Sequence, residues 1–327
     1  MPQDRPWVEK YRPQTFDEIV SQNIAINNIK EFVSSGNMPH MIFTGPAGTG
    51  KTSTALIIAK EAIKAEDYSL NVLELNASDT VRMDYVRNVI KDFVSQNIIV
   101  GDSSIKFILL DEADNIPGQV QQALRRIIEK SSNEVKFILM CNYINRIIDP
   151  IISRCAVFRF VKLSKEKIIE RLKFISKKEK ITIPNDKAQE FYETLYFISE
   201  GDLRKAINTL QMSVALELIE NLDLSEILKI SGFMDRMNLE QLTTTIKEGN
   251  LKKVKSLIES YENFDSRNLI RQVIEELPHL NIRYENYPNL ISFIGEVDYR
   301  ISQGSDERIQ ITALVAELIQ SINQEKV

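Results

Sequence analysis

Gly45-Pro46-Ala47-Gly48-Thr49-Gly50-Lys51-Thr52, followed by Phe107-Ile108-Leu109-Leu110-Asp111-Glu112-Ala113-Asp114, decides how this chain folds. The first segment matches G-x-x-x-x-G-K-[ST] at Gly45, Gly50, Lys51 and Thr52. An apolar run, Met41-Ile42-Phe43, precedes it, and a helix-like run from Ala55 to Ile63 follows. That order of strand, loop and helix is what a phosphate-binding loop requires. Gly45, Gly48 and Gly50 let the backbone close around an anion with its N–H groups inward. The helix N-terminus adds partial positive charge. Pro46, Ala47 and Thr49 complete the loop, Lys51 reaches toward the outer phosphates, and the Thr52 hydroxyl is placed to ligate magnesium.

The second segment supplies the rest. An apolar run that ends in an acid predicts a buried parallel strand carrying Asp111 at its carboxyl end, where ligands of open α/β sheets bind. Asp111 is expected to hold magnesium through water. Glu112 follows directly and is placed to activate an attacking water. Glycine-rich turns and acidic strand ends are each common, but in this order and context they predict ATP hydrolysis.

The chain has 327 residues, enough for two or three domains. Hydrophobic residues make up 43% and charged residues 27%, the mixture of a soluble globular protein. No apolar stretch approaches the roughly 20 residues of a membrane span, and the N-terminal residues lack the order of a signal peptide. Cys141 and Cys155 form no metal-ligand pattern and read as reduced thiols of an intracellular protein. His40 and His279, the two histidines, read as structural. A net charge of −5 argues against a protein that coats nucleic acid with its whole surface, though not against one with a local basic face.

Strands are predicted over 41–44, 72–76, 106–111, 136–141 and 156–160. Helices are predicted over 22–35, 51–65, 81–95, 118–130 and 164–178. This alternation argues an α/β fold with a parallel sheet and helices on both faces. Past residue 162 apolar residues recur only at helical spacing, as in Ile168, Ile169, Leu172 and Ile175. The expected domains are 1–162, a nucleotide-binding α/β domain; 163–230, a small helical domain; and 231–327, a second helical domain. Breaks are expected near Gly249-Asn250 and at Pro278 and Pro288.

Three further polar positions invite a role. Asn142 follows the 136–141 strand, beside the strand of Asp111, where an amide can orient the attacking water. Asparagine is also an ordinary residue of strand-to-turn junctions. Arg154, in Ser153-Arg154-Cys155, reads either as a solvated surface charge or as an arginine finger offered to a neighbouring subunit's ATP. In Gly201-Asp202-Leu203-Arg204, Asp202 reads as a helix N-cap. Positive charge in a first turn opposes the helix dipole, so Arg204 is expected to contact phosphate.

Taken together, the motifs resemble those of the small subunit of replication factor C, the AAA+ clamp loader of archaea and eukaryotes. The segments that carry the resemblance are Trp7-Val8-Glu9-Lys10-Tyr11-Arg12-Pro13, Phe16-Asp17-Glu18-Ile19-Val20, Met38-Pro39-His40, the phosphate loop, Leu75-Asn76-Ala77-Ser78-Asp79, Asp111 to Asp114, Gln122-Ala123-Leu124-Arg125-Arg126, Cys141-Asn142-Tyr143, Ser153-Arg154-Cys155 and Gly201 to Arg204. They span roughly residues 5–210. The C-terminal part matches more weakly, at Tyr299-Arg300-Ile301, Gly304 and Ile309-Gln310. No four-cysteine zinc site of the bacterial counterpart is present, which favours the archaeal and eukaryotic branch.

The resemblance implies an AAA+ domain, a helical lid and an all-α collar. It implies ATP and Mg2+ as cofactors, with Val8, Tyr11, Arg12 and Pro13 wrapping the adenine. Arg154 would act in trans and Arg204 in cis. The implied partners are the other clamp-loader subunits of a five-subunit ring, large and small, together with the sliding clamp and primer–template DNA, with no membrane. The implied place is the cytoplasm of an archaeon or the nucleus of a eukaryote. Two other readings are a nucleotide-binding assembly subunit with little hydrolysis, which the intact Lys51, Thr52, Asp111, Glu112 and Asn142 disfavour, and a branch-migration helicase, which the Trp7–Pro13 and Ser-Arg-Cys segments disfavour.

One departure stands out. The family usually has Glu-Arg-Gly-Ile-Asp after Asn-Ala-Ser-Asp; residues 80–84 here are Thr-Val-Arg-Met-Asp. This helix start is expected to face DNA phosphates, with Arg82, Arg87 and Lys91 supplying the charge. The departure reads as a divergent small subunit with an altered DNA contact, and the three charges also read as a solvated helix face. The stretch from Phe93 to Val100 lies in the family's clamp-facing region and also reads as ordinary core.

Overall fold

Short apolar runs with side chains alternating between two buried faces form the centre of one of two compact units. The chain, seen in a computed structural model, is described at residues 5–78, 83–95, 105–131, 135–220, 222–261 and 265–323. It runs α1 (Trp7–Lys10), α2 (Asn23–Ser35), β1 (His40–Thr44), α3 (Lys51–Ala62), α4 (Tyr68–Asn71), β2 (Val72–Asn76), α5 (Met83–Ser95), β3 (Lys106–Asp111), α6 (Gly118–Lys130), β4 (Val135–Cys141), α7 (Asp149–Ile152) and β5 (Cys155–Arg159). Helices follow: α8 (Lys165–Lys178), α9 (Ala188–Ser199), α10 (Leu203–Ala215), α11 (Leu224–Ile230), α12 (Arg236–Lys247), α13 (Leu251–Ser260), α14 (Ser266–Glu276), α15 (Tyr287–Ser302) and α16 (Glu307–Asn323). The described residues fall into two compact units, one within Met1–Ile181 and Leu195–Gln211, the other within Thr182–Thr194 and Met212–Val327.

In the first unit the five strands form one parallel sheet in the order β2-β3-β4-β1-β5. The period of two sorts side chains between two cores. Met41, Phe43, Phe107, Leu109, Ile138 and Met140 join Ile29, Ile57 and Ile58 of α2 and α3 on one face. Ile42, Ile108, Leu110, Phe137, Leu139 and Cys141 join Ile90, Leu124 and Ile128 of α5 and α6 on the other. Because both faces are covered, the strands read as unbroken apolar runs. Phe93 and Val94 pack against this second face, so that part of the sequence-predicted clamp-facing stretch is core; residues 96–100 lie outside the described residues.

The second unit packs α12 to α16 around Leu242, Ile246, Val254, Leu269, Val273, Leu290, Val297, Leu314 and Leu318. Its helix starts are written in the sequence. The side chains of Asp223, Asp235, Asn250 and Asp265 accept from the backbone N–H groups of Glu226, Asn238, Lys253 and Asn268, at 2.9–3.1 Å, and so satisfy donors that helix starts leave open.

Two boundaries depart from expectation. The helix predicted over 51–65 stops at Ala62, where Ile63 turns extended and is buried at 2% exposure. Core burial of Ile63 outweighs continuation of the helix. Pro288, expected as a break, instead sits in the first turn of α15, where its missing N–H costs nothing.

His40 opens β1 and is buried. Its Nδ1 accepts the N–H of Phe137 at 3.1 Å, a bond that only a neutral imidazole can accept at that nitrogen. Burial, aided by the charge of Lys136, pushes its pKa down to about 4. The unfolded chain therefore binds a proton here at higher pH than the folded chain does, and stability falls as pH drops from about 6.5 toward 4, by on the order of 3 kcal/mol in total. His40→Asn, which keeps an acceptor near the same place, is expected to lose less stability than the wild type over that range. Urea midpoints measured from pH 7 to 4.5 check this; parallel curves for the two proteins would refute it.

Candidate functional site

The parallel register sets the site. Thr44 pairs with Cys141 and Asn76 with Asp111, so the carboxyl ends of β1, β3 and β4 lie side by side, and the segments leaving them converge. The phosphate loop leaves β1, Asp111 and Glu112 end β3, and Asn142 follows β4. A cleft in the first unit is lined by Gly48, Lys51, Thr52, Asp111, Glu112 and Asn142, and also by Val8, Tyr11, Arg12, Pro13 and Arg204. Ala47, Thr49 and Gly50 border it too. Gly45 and Pro46 take part through their carbonyls.

Two glycines of the loop are required by close approach. Gly45 (φ 150°) lies so near Phe160 that an added Cβ would sit 2.1 Å from its carbonyl oxygen. Gly48 (φ 67°) leaves room for Asp202, whose Oδ1 would be 1.7 Å from an added Cβ. Asp202 caps α10 by accepting from the N–H of Lys205 at 3.0 Å, and the N–H of Leu203 donates to the Gly48 carbonyl at 3.3 Å. The start of α10, with Arg204 in its first turn, is thereby seated on the phosphate loop.

Lys51 is buried at 8% exposure. Its ammonium donates to the carbonyls of Gly45 (2.6 Å) and Pro46 (2.8 Å) and to Oδ1 of Asn142 (3.0 Å), which uses all three of its protons. Burial lowers its pKa, while the charges of Asp111 and Asp114 favour the protonated form. The Thr52 hydroxyl donates to Oδ2 of Asp111 at 2.8 Å, and Oδ1 of Asp111 accepts the N–H of Glu112 at 2.9 Å. Glu112 adopts a left-handed backbone (φ 53°), an uncommon state for a residue with a side chain, and accepts from Asn115 Nδ2 at 3.2 Å.

The Trp7–Pro13 segment, expected to wrap adenine, is fastened by contacts that local sequence does not reveal. The N–H of Trp7 donates to Gln211 Oε1 at 2.9 Å. The Tyr11 hydroxyl donates to Glu179 Oε1 at 2.5 Å, Lys10 pairs with the same carboxylate at 2.6 Å, and Arg171 donates to the Tyr11 carbonyl at 2.9 Å. Burial, then the bond to Glu179, pushes the Tyr11 hydroxyl up to about 12. Apolar walls come from Ile19, Val20, Leu163 and Ile207. Of these four, Ile19 and Val20 belong to a motif legible in the sequence; Leu163 and Ile207 carry no local signal.

Arg154 does not line the cleft. It follows α7 and pairs with Glu129 of α6, while donating to the Pro150 carbonyl at 2.6 Å and the Ser153 hydroxyl at 3.2 Å. Arg125 pairs with the same Glu129 at 3.0 Å, and the two guanidinium groups, Arg125 first, hold that carboxyl below its usual range. Of the proposed DNA contacts, Lys91 is exposed on α5. Arg82 lies outside the described residues, as does the side chain of Arg87.

Residues 41–163 match the ATPase family associated with various cellular activities (AAA), residues 170–214 an RCF1/5-like AAA+ ATPase lid domain, and residues 235–317 the replication factor C C-terminal domain. The replication factor C small subunit of Sulfurisphaera tokodaii is 39% identical over 318 residues, covering 95% of this chain and 94% of that protein. Those of Thermofilum pendens and Archaeoglobus fulgidus are each 40% identical, covering 95% of this chain and 95% and 96% of theirs. Among solved structures, the RuvB Holliday junction branch migration motor of Thermotoga maritima has a TM-score of 0.54 over 76% of this chain and 85% of its own, at 18% identity, which establishes likeness of fold alone. The chain is an AAA ATPase and belongs to the replication factor C small-subunit family.

Proposed function

We propose that this ATPase works as one subunit of a five-membered clamp-loader ring, binding ATP with magnesium, opening a sliding clamp and placing it on primer–template DNA. The observation that carries this reading is the convergence of Lys51, Thr52, Asp111, Glu112 and Asn142 on one cleft, with Arg204 joining them from α10. The functional division is 1–162 for nucleotide binding, 163–230 for the lid and 231–327 for the collar, with the protein acting inside the cell. No helix of the described residues is long and apolar enough to cross a membrane.

The residues suit magnesium. Thr52 and Asp111 offer hard oxygen donors already within hydrogen-bond reach of each other. Among the described residues no cluster of three or more His, Cys, Asp or Glu forms a full protein cage. Magnesium commonly takes one or two protein oxygens and leaves the rest to water and phosphate. When bound it would neutralise charge on the transferring phosphoryl group.

The protein's own groups do the remainder. The backbone N–H groups of the loop and the start of α3 receive phosphate oxygens. Lys51 exchanges the Gly45 and Pro46 carbonyls for phosphate, and Asn142, relieved of the ammonium, turns to the attacking water. Glu112 takes the proton of that water. Arg204 senses phosphate in cis. Arg154, held on its own surface by Glu129 and Pro150, exchanges them for the ATP of a neighbouring subunit. An intact Glu112 and Asn142 favour a hydrolysing subunit over a passive assembly subunit.

Lys51→Ala is expected to weaken ATP binding at this subunit by on the order of 100-fold, since a charged donor to phosphate is removed. Glu112→Gln is expected to preserve binding and slow turnover by about 10²–10⁴-fold, trapping the assembly on clamp and DNA. Equilibrium binding and single-turnover hydrolysis separate the two, and wild-type turnover in Glu112→Gln would overturn the assignment.

Arg154→Ala is expected to leave its own site's nucleotide affinity intact and to slow the adjacent site by about 10³–10⁵-fold. Rings assembled from mixed subunits report this, and a defect confined to the mutant's own cleft would refute action in trans.

If Arg82, Arg87 and Lys91 neutralise DNA phosphates, their joint removal should flatten the salt dependence of DNA binding by up to about one unit for each phosphate left without its cation. Basal ATPase should be spared. Affinity of the assembled ring across a salt series is the measurement, and an unchanged slope would assign the DNA grip elsewhere.

A further inference from the structure

Asp114, the last residue of the Asp-Glu-Ala-Asp run, has no part in the scheme above, yet its placement is specific. It is 9% exposed and lies in the 3₁₀ turn Ala113–Asn115, directly after Glu112. One of its oxygens, Oδ2, accepts the N–H of Asn142 at 3.3 Å and the N–H of Tyr143 at 3.2 Å. The other, Oδ1, is buried with no hydrogen-bond partner.

The segment it holds passes from the end of β4 into the short 3₁₀ turn Ile144–Arg146. Between buried Cys141 and buried Ile147 the side chains of Asn142, Tyr143, Asn145 and Arg146 are exposed, Tyr143 at 59%. Packing anchors the two ends and, through half-buried Ile144, part of the middle, while the Asn142 and Tyr143 side chains stay exposed. The far end is tied by Gln121, which donates to the Arg146 carbonyl at 2.9 Å and accepts the Ile148 N–H at 2.9 Å. At the near end, where Asn142 must turn its amide toward Lys51 at 3.0 Å, the tie is Asp114.

We propose that Asp114 is a positioning residue for hydrolysis: by gripping two successive N–H groups after β4 from the turn that carries Glu112, it holds Asn142 in register with Glu112 and the phosphate loop. The proposal rests on the reading of Asn142 as the residue that orients the attacking water. A carboxylate suits the task because a single oxygen receives both N–H groups. Replacing it with a side chain lacking an acceptor leaves two backbone donors without a partner and lets the segment shift. A displacement of about 1 Å at such a group can cost on the order of 10²-fold in rate.

The test is steady-state ATP hydrolysis by the assembled ring, with thermal midpoints, for Asp114→Ala, Asp114→Asn, Asn142→Ala and the double variant Asp114→Ala/Asn142→Ala. Asp114→Ala is expected to lower kcat by about 10–100-fold with KM for ATP changed less than about threefold. Asp114→Asn keeps an oxygen for both N–H groups and is expected to stay within about threefold of wild type. In the Asn142→Ala background, Asp114→Ala should add less than about twofold, because the two act as one unit. Multiplying effects, or a tenfold loss in Asp114→Asn, would overturn the proposal while leaving the role of Asn142 standing. Wild-type kcat in Asn142→Ala would instead remove the reading on which the proposal rests. Should Asp114→Ala fail to fold, Asp114→Asn decides alone, since a loss of turnover there means that the charge, and not the acceptor, is what the site needs.

Discussion

A buried ammonium organises the site. Lys51 lies at 8% exposure and all three of its protons go to neutral oxygens: two carbonyls of its own loop and the amide of Asn142. Burying a charge is costly unless its hydrogen-bonding capacity is met, so the loop has to curl until its carbonyls reach back to the lysine. That curl requires left-handed or strained backbone at Gly45 and Gly48 and brings Phe160 and Asp202 against them. The same requirement brings the end of β4 toward the loop and gives Asn142 a partner before any nucleotide arrives.

Around that ammonium the carboxylates have separate tasks. Asp111 is bonded at both oxygens, to Thr52 and to the backbone of Glu112, which fixes its orientation. Glu112 sits one residue on in left-handed backbone, a local strain of a kind that collects at functional sites, with its carboxylate turned toward Asn115. Asp114 faces the other way, into the turn after β4. Three acids within four residues thus have different partners, Thr52 for Asp111, Asn115 for Glu112 and the main chain after β4 for Asp114, which lies in the 3₁₀ turn that follows Glu112.

Charge is also used to tie distant segments together within the first unit. Glu179 receives both Tyr11 and Lys10, and Arg171 grips the Tyr11 carbonyl, so the segment expected to wrap adenine is fastened to α8 and the residues just after it. The phosphate loop is tied to the start of α10 by the Leu203 N–H, which donates to the Gly48 carbonyl beside the capping Asp202. The Trp7–Pro13 side and the Gly45–Thr52 side of the cleft are each bound to a helix beyond the sheet.

The sequence by itself determined most of the fold of the first unit. Mostly apolar strands of five to seven residues and the glycine loop are local signals, and β3 and α6 run over the same residues that periodicity predicts. It also determined the phosphate loop, Asp111 and Glu112, because that chemistry needs particular residue types at fixed spacing along one strand or turn. Boundaries that depend on burial were less legible: Ile63 left its helix to fill the core, and Pro288 opened a helix it was expected to interrupt. Only the tertiary structure decided the strand order that puts β3 beside β4, the grip of Asp114 on Asn142, and the ties of Gln211, Glu179 and Arg171 to residues 160 or more positions away. The reason is that a hydrogen bond between distant segments leaves no period in the sequence: a glutamate that holds a tyrosine across the fold has the same one-letter code as a glutamate that faces water.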